Sequence, residues 1–165
     1  MKAVDLAKYV VTFFDDKGDP ITNKKLQKLL YYIEAWNLVY LKSIFSEDIE
    51  AWVYGPVVNE VYQEYKNYRY SPITREYAPG SSPSLELKKL GKTLNMSGDQ
   101  KELIETVLEK YGAMSSFQLE RLTHSEPPWL EARGECQPLE RCSKAINRKT
   151  MEEYYSSLLD GEKER

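Results

Sequence analysis

Residues Thr22 to Lys42, TNKKLQKLLYYIEAWNLVYLK, decide how this chain is read. The stretch contains no Gly or Pro, so nothing in it breaks a helix. Thr22 suits the cap, because its side-chain oxygen can accept from a free N–H of the first turn. Leu26, Leu29, Leu30, Ile33, Tyr40 and Leu41 recur at helical spacing and make one broad apolar face. Tyr31, Tyr32, Trp36, Leu38 and Val39 carry apolar surface round to the other sides. A helix of this kind is buried on several sides at once. The prediction is a compact, mainly α single-domain bundle around a central helix at 22–42, with a small element of two or three β-strands.

Upstream, Ala3, Leu6, Ala7, Val10, Phe13 and Phe14 share a helical face over Ala3–Phe14, and Gly18 and Pro20 break the chain after it. Downstream, Ile49 to Tyr54 alternates two sets of β-formers and reads as a strand closed by Gly55-Pro56, with Pro56 opening a third helix. That helix carries Val58, Val61, Tyr62, Tyr65 and Tyr68 on one stripe. Tyr70–Ser84 is rich in Pro, Gly and Ser and reads as a long loop, with short strands expected near Arg75–Tyr77 and at Leu85–Leu87. Ser97 with Gln100, and Ser115 with Gln118, have capping-box spacing and open two further helices. The first of these ends at Gly112. Pro127 starts another helix that Gly134 ends, and a last one runs from Arg148 to Leu159. Residues 1–159 read as one domain, followed by a charged tail at 160–165.

The chain has 165 residues, 41% of them hydrophobic and 30% charged, the balance of one globular core. Asp5 and Lys8 interrupt the apolar N-terminal run, so no signal peptide is expected, and the expected location is the cytoplasm. A net charge of -3 argues against nucleic acid as the main partner. Thirteen tyrosines against four phenylalanines fit either core-edge positions or a protein-contacting surface.

The chemistry-bearing residues are few. His124 is the only histidine, with Thr123, Ser125, Glu126 and Arg133 nearby, yet no local nucleophile signature and no glycine-rich phosphate loop accompany it. No catalytic residue is therefore expected, and His124 with Glu126 is expected to fasten the turn before Pro127. A zinc site from His124, Cys136 and Cys142 would have three ligands without a tight Cys pair, so no metal and no cofactor are expected, and the thiols read as free. Lys24, Lys25 and Lys28 cluster where positive charge opposes the helix dipole, and read as a solvated face.

Leu26-Gln27-Lys28-Leu29-Leu30-Tyr31-Tyr32, Ala51-Trp52-Val53-Tyr54-Gly55-Pro56-Val57 and Leu122–Arg133 (LTHSEPPWLEAR), in this order, resemble the Panacea domain of SocA-like antitoxins and phage-associated GepA-like proteins. The resemblance spans roughly Val4 to Tyr155. The chain departs from it at Ile33-Glu34-Ala35-Trp36, where the family more often has small and amide residues. The resemblance implies a non-enzymatic antitoxin that binds and neutralises a cognate protein toxin encoded by an adjacent gene. In the SocA type the antitoxin acts as an adaptor delivering its toxin to a protease. It also implies a structural signature of Gln27, Tyr31, Trp52, Tyr54, Gly55, Pro56, His124, Glu126, Trp129 and Arg133.

A buried Gln27 amide needs hydrogen-bond partners, expected in the Trp52–Pro56 turn and the His124–Arg133 segment. The partner surface is expected at Tyr65, Tyr68, Arg69 and Tyr70. Two alternatives stay open: a small hydrolase or transferase using His124, Glu126 and Arg133, and a DNA-binding regulator using Lys24–Lys28 or Asn147–Lys149.

Overall fold

A computed structural model describes residues 1–163 and contains eight α-helices and one two-stranded sheet among them. Helix α1 is Ala3–Asp16 and α2 is Asn23–Tyr40. Thr22 caps α2, accepting from the Lys25 N–H at 3.2 Å. Every residue from Leu26 to Asn37 is buried, because α2 is packed on different sides by α1, β2 (Gly55–Val57), α3 (Asn59–Tyr65), α5 (Gly98–Gly112), α6 (Ser116–His124) and α8 (Arg148–Lys163). The central helix of the prediction is therefore the axis of the molecule. It stops earlier than expected, at Tyr40, and Tyr40 and Leu41 lie exposed rather than on the apolar face.

Glu34, where the chain departs from the family pattern, is wholly buried in α2. Its carboxylate pairs with Arg148 Nε at 2.7 Å and accepts from the Ser43 hydroxyl and the Ile44 N–H, so the buried charge is fully partnered.

The β-element has two strands, within the expected two or three, but both come from the stretch read as one strand closed by Gly55-Pro56. Glu50–Trp52 forms β1 and Gly55–Val57 forms β2, paired antiparallel with Ala51 opposite Pro56. Gly55, at φ +106°, supplies the backbone geometry that reverses the chain, so Gly55-Pro56 belongs to a strand instead of opening a helix. Pro56 has no N–H to give, which is tolerated in a strand with one paired side. The free side of β1 is taken up by the segment before α8, through Ala51 N–H to Lys144 O and Ile146 N–H to Ile49 O.

No strand forms at Arg75–Tyr77. Side chains anchor that segment to α1 instead: Arg75 to Thr12, and the Tyr77 hydroxyl to Asp15 at 2.5 Å. The strand expected at Leu85–Leu87 is helix α4, Pro83–Thr93, capped by Ser82 and opened by Pro83. It lies along α1 with Leu87 and Leu90 partly buried, and Gly91 sits in mid-helix.

Both capping boxes form, at the starts of α5 and α6. Gly112 serves packing, since a Cβ there would come 2.5 Å from Phe14 Cζ. Helix α7 is Pro127–Arg133. Helix α8 buries Met151 and Tyr155 but leaves Leu158 exposed, and it runs to Lys163, past the start of the expected tail. Residues 164–165 of that tail lie outside the described residues. No helix among the described residues is long and apolar enough to cross a membrane.

Candidate functional site

The segments around Leu26–Tyr32, Ala51–Val57 and Leu122–Arg133 fold onto one another, and most of their polar groups bond within the scaffold. Glu126, at the cap position of α7, is buried and receives two tyrosine hydroxyls, Tyr32 at 2.6 Å and Tyr155 at 2.7 Å. Burial raises the Glu126 carboxyl pKa above its ordinary value, and the two donated bonds act against that rise. The Tyr31 hydroxyl lies 3.4 Å from that of Tyr155, and the Tyr32 ring stacks on Tyr111 at 3.9 Å. In the same cluster, Trp36 Nε1–H donates to the Tyr111 hydroxyl at 2.9 Å.

Trp129 Nε1–H donates to the Trp52 carbonyl at 2.9 Å, tying α7 to β1. Arg133 completes that tie. It donates to the carbonyls of Ala51 (3.0 Å), Gln137 (2.6 Å) and Glu140 (2.9 Å), and its guanidinium lies over the Trp129 ring. The loop it organises brings Cys136 and Cys142 side by side.

Gln27 is buried, and its partners are Asn23 Oδ1 at 2.9 Å and the Val58 N–H at 2.9 Å. Both lie outside the two segments expected to supply them. The reason is the hairpin: because the chain stays extended through Val57, the first free N–H of α3 arrives beside Gln27.

His124 does not meet Glu126. Its ring stacks on Trp129, with centroids 4.0 Å apart and 14° between planes, and its Nε2 is buried without a hydrogen-bond partner among the described residues. Burial is the main cause lowering its pKa, helped by the positive charges of Lys28, Arg133 and Lys24 and opposed by Glu120. His124 and Arg133 thus share the Trp129 ring, while Glu126 is held apart by Tyr32 and Tyr155.

One group beside His124 is unlike the rest. Lys28, expected in a solvated face, is 1% exposed. It lies under the hairpin turn. A Cβ on Gly55 would stand 2.7 Å from Lys28 Cε, 3.3 Å from its Nζ and 3.0 Å from Thr123 Oγ1, so only glycine leaves room there. Burial pushes the Lys28 pKa down to about 7, with Lys24 adding to the fall and Glu120 opposing it. Of the other lysines in that cluster, Lys24 forms an ion pair with Glu120 and Lys25 donates to the Gly112 carbonyl at 2.7 Å.

The antitoxin SocA-like, Panacea domain family model matches residues 26–130. The chain belongs to that family. No curated protein and no solved structure matches it. The matched range contains all three segments up to Leu130, with Lys28, Gly55, Thr123 and His124 inside it.

The residues read as a partner surface differ in exposure. Tyr65 is buried, and Tyr68 is half-buried with its hydroxyl donating to the Thr74 carbonyl at 2.8 Å. Arg69, at φ +53°, and Tyr70, 94% exposed, form an outward turn. Tyr54 is also exposed, at the hairpin tip, with the Lys24 ammonium 5.2 Å from its ring centroid. Sequence reasoning missed Lys28, Glu120 and Thr123 as neighbours. The one local signal was a lysine embedded among the leucines of a helix apolar on all sides.

Proposed function

We propose that this Panacea-family chain is the antitoxin of a toxin–antitoxin pair, neutralising by direct binding a protein toxin encoded beside it. The observation that carries this is the use of its signature groups. Glu126, Gln27, Trp129 and Arg133 are all committed to hydrogen bonds inside the scaffold, while aromatic side chains stand outward at Tyr54 and Tyr70. A rigid frame with exposed aromatics suits protein recognition, since Tyr side chains anchor interfaces at low entropic cost.

An enzyme built on His124, Glu126 and Arg133 is disfavoured because the three do not converge on one reacting position. A DNA-binding reading loses Lys24 and Lys25 to internal partners. On this reading residues 1–159 act as one domain in the cytoplasm, without cofactor or metal, and the partner face includes Tyr68, Arg69 and Tyr70. Neutralisation proceeds by covering the toxin or by delivering it to a protease. Co-expression with the adjacent gene tests the class: its product should be toxic alone and harmless beside this chain. The toxin's lifetime in protected cells separates covering from delivery.

A further inference from the structure

Away from the signature network, one place in the fold brings two reactive groups into contact. Cys136 Sγ lies 2.6 Å from Cys142 Sγ and donates its S–H to it. Neither side chain packs in the hydrophobic core. Cys136 is half-buried and Cys142 is buried, so one sulfur of the pair is open to solvent and the other sits behind it. No group of three ligating side chains forms among the described residues, which leaves the pair short of a structural zinc site.

Bonds that do not involve sulfur hold the thiols together. The Cys136 N–H donates to the Arg133 carbonyl at 2.8 Å. Gln137 and Glu140 close a turn, with the Glu140 N–H on the Gln137 carbonyl at 3.0 Å and the Gln137 N–H on the Glu140 carboxylate at 2.8 Å. The Arg133 guanidinium fixes that turn by donating to the carbonyls of Gln137 and Glu140. Beyond Cys142, the Ala51 N–H donates to the Lys144 carbonyl at 2.9 Å and anchors the far side of the loop to β1. The loop between the cysteines is therefore closed before any bond joins the sulfurs. A disulfide needs about 2.05 Å between its sulfurs, so passing from contact to bond asks for little movement. A loop already ordered also has little closure entropy left to lose. Burial acts to raise the Cys142 thiol pKa. The S–H donated by Cys136, the Lys144 backbone and the positive charges of Arg133 and Lys144 outweigh it and lower the pKa, which favours the thiolate that attacks in exchange.

We propose that Cys136 and Cys142 form a reversible redox-modification site, at which exchange with a low-molecular-weight disulfide closes an intrachain bond across the loop between α7 and α8. The half-buried Cys136, as thiolate, attacks one sulfur of the small disulfide. A bond forms to Cys136, the small S–S bond breaks, and the first small thiolate leaves and takes up the proton that Cys136 lost. The Cys142 thiolate then attacks Cys136 Sγ, forming the protein disulfide and expelling the second small thiolate, which takes up the proton from Cys142. The two cysteines are oxidised by two electrons, and one small disulfide is reduced to two thiols. Exposure sets the order, since the small disulfide meets Cys136 first. The bond turns a hydrogen-bonded loop into a covalent ring that presents Leu139, 84% exposed. Excess small thiol reverses both steps, so in a reducing compartment the pair answers a rise in oxidised thiol and is not a permanent staple. This inference stands apart from the antitoxin reading.

The test equilibrates the full, reduced chain at fixed pH with reduced and oxidised glutathione in varied ratio, quenches with an alkylating agent and reads intact mass. Both thiols should be lost together in one transition, giving a single chain lighter by two hydrogen atoms, without attached glutathione, and restored by dithiothreitol. The same titration in concentrated urea is the reference for a chain without the fold. Folding should favour the intrachain bond roughly tenfold or more, and equal values in the two conditions overturn the proposal. Cys142→Ser should stop at a glutathione adduct on Cys136, whereas Cys136→Ser should leave Cys142 unmodified in the folded chain. Equal modification of the two variants overturns the assignment of Cys136 as the entry thiol and Cys142 as the resolving one. Glutathione adducts on wild type without an intrachain bond, a disulfide between two chains, or two free thiols in wholly oxidised glutathione each overturn the proposal.

Discussion

Replacing Lys28 by Met should make the protein more stable, and by an amount that depends on pH. Burial lowers the Lys28 pKa from 10.5 to about 7. The folded state therefore binds fewer protons than the unfolded chain across that window, so wild-type stability rises with pH from neutral to alkaline. Below the folded value the whole penalty of holding the ammonium is present. At roughly 1.36 kcal/mol per pH unit the displacement corresponds to about 5 kcal/mol. Met fills a similar volume and carries no charge to desolvate. Its gain should approach that figure near pH 6, fall to roughly 2 kcal/mol near pH 9, and vanish near pH 11. Urea denaturation at these pH values, with tryptophan fluorescence as the signal, measures it. A Met variant less stable than wild type at pH 6 would mean the ammonium is favourably held in the fold, and the reasoning about a desolvated amine would be refuted.

Gly55→Ala places a Cβ against Lys28 at a positive φ and should destabilise by roughly 1–3 kcal/mol, with part of the loss relieved in a Lys28→Ala background; equal losses in both backgrounds would contradict the clash. Tyr155→Phe removes a donor to the buried Glu126 carboxylate and should cost roughly 1.5–3 kcal/mol of unfolding free energy, read from urea denaturation. Because the Glu126 pKa is raised above 4.5, its folded form holds more protons than the unfolded chain, so stability falls as pH rises through the raised value. Tyr155→Phe should steepen that fall between acidic and neutral pH, and an unchanged pH profile would show that the hydroxyl does not support the carboxylate. Tyr70→Ala should leave stability within about 0.5 kcal/mol of wild type and weaken capture of the partner. Undiminished capture would remove the Arg69–Tyr70 turn from the interface.

The central helix was legible because its evidence is local: an uninterrupted apolar surface and a Thr22 cap. The capping boxes at Ser97 and Ser115 were legible for the same reason. Where the reading went astray, distant partners decided the outcome. Gly55-Pro56 reads locally as a strand end and helix start, but pairing with Glu50–Trp52 keeps it extended. Leu85–Leu87 is too short to show a period, and α4 exists because Ser82 caps it and α1 supplies the surface it lies on. Lys24, Lys25 and Lys28 look alike in sequence. Lys28 alone faces inward, beneath a hairpin and against a helix some ninety residues further along the chain. The signature residues could be named, but the charge that sets their junction apart from an ordinary core could not.

The central claim is that this chain neutralises a protein partner by binding it. The most direct measurement is the affinity of the purified full chain for the product of the adjacent gene, with wild type and Tyr70→Ala compared side by side under conditions where both are folded. A wild-type complex that weakens on substitution is the predicted result. No complex with the wild-type chain would contradict it.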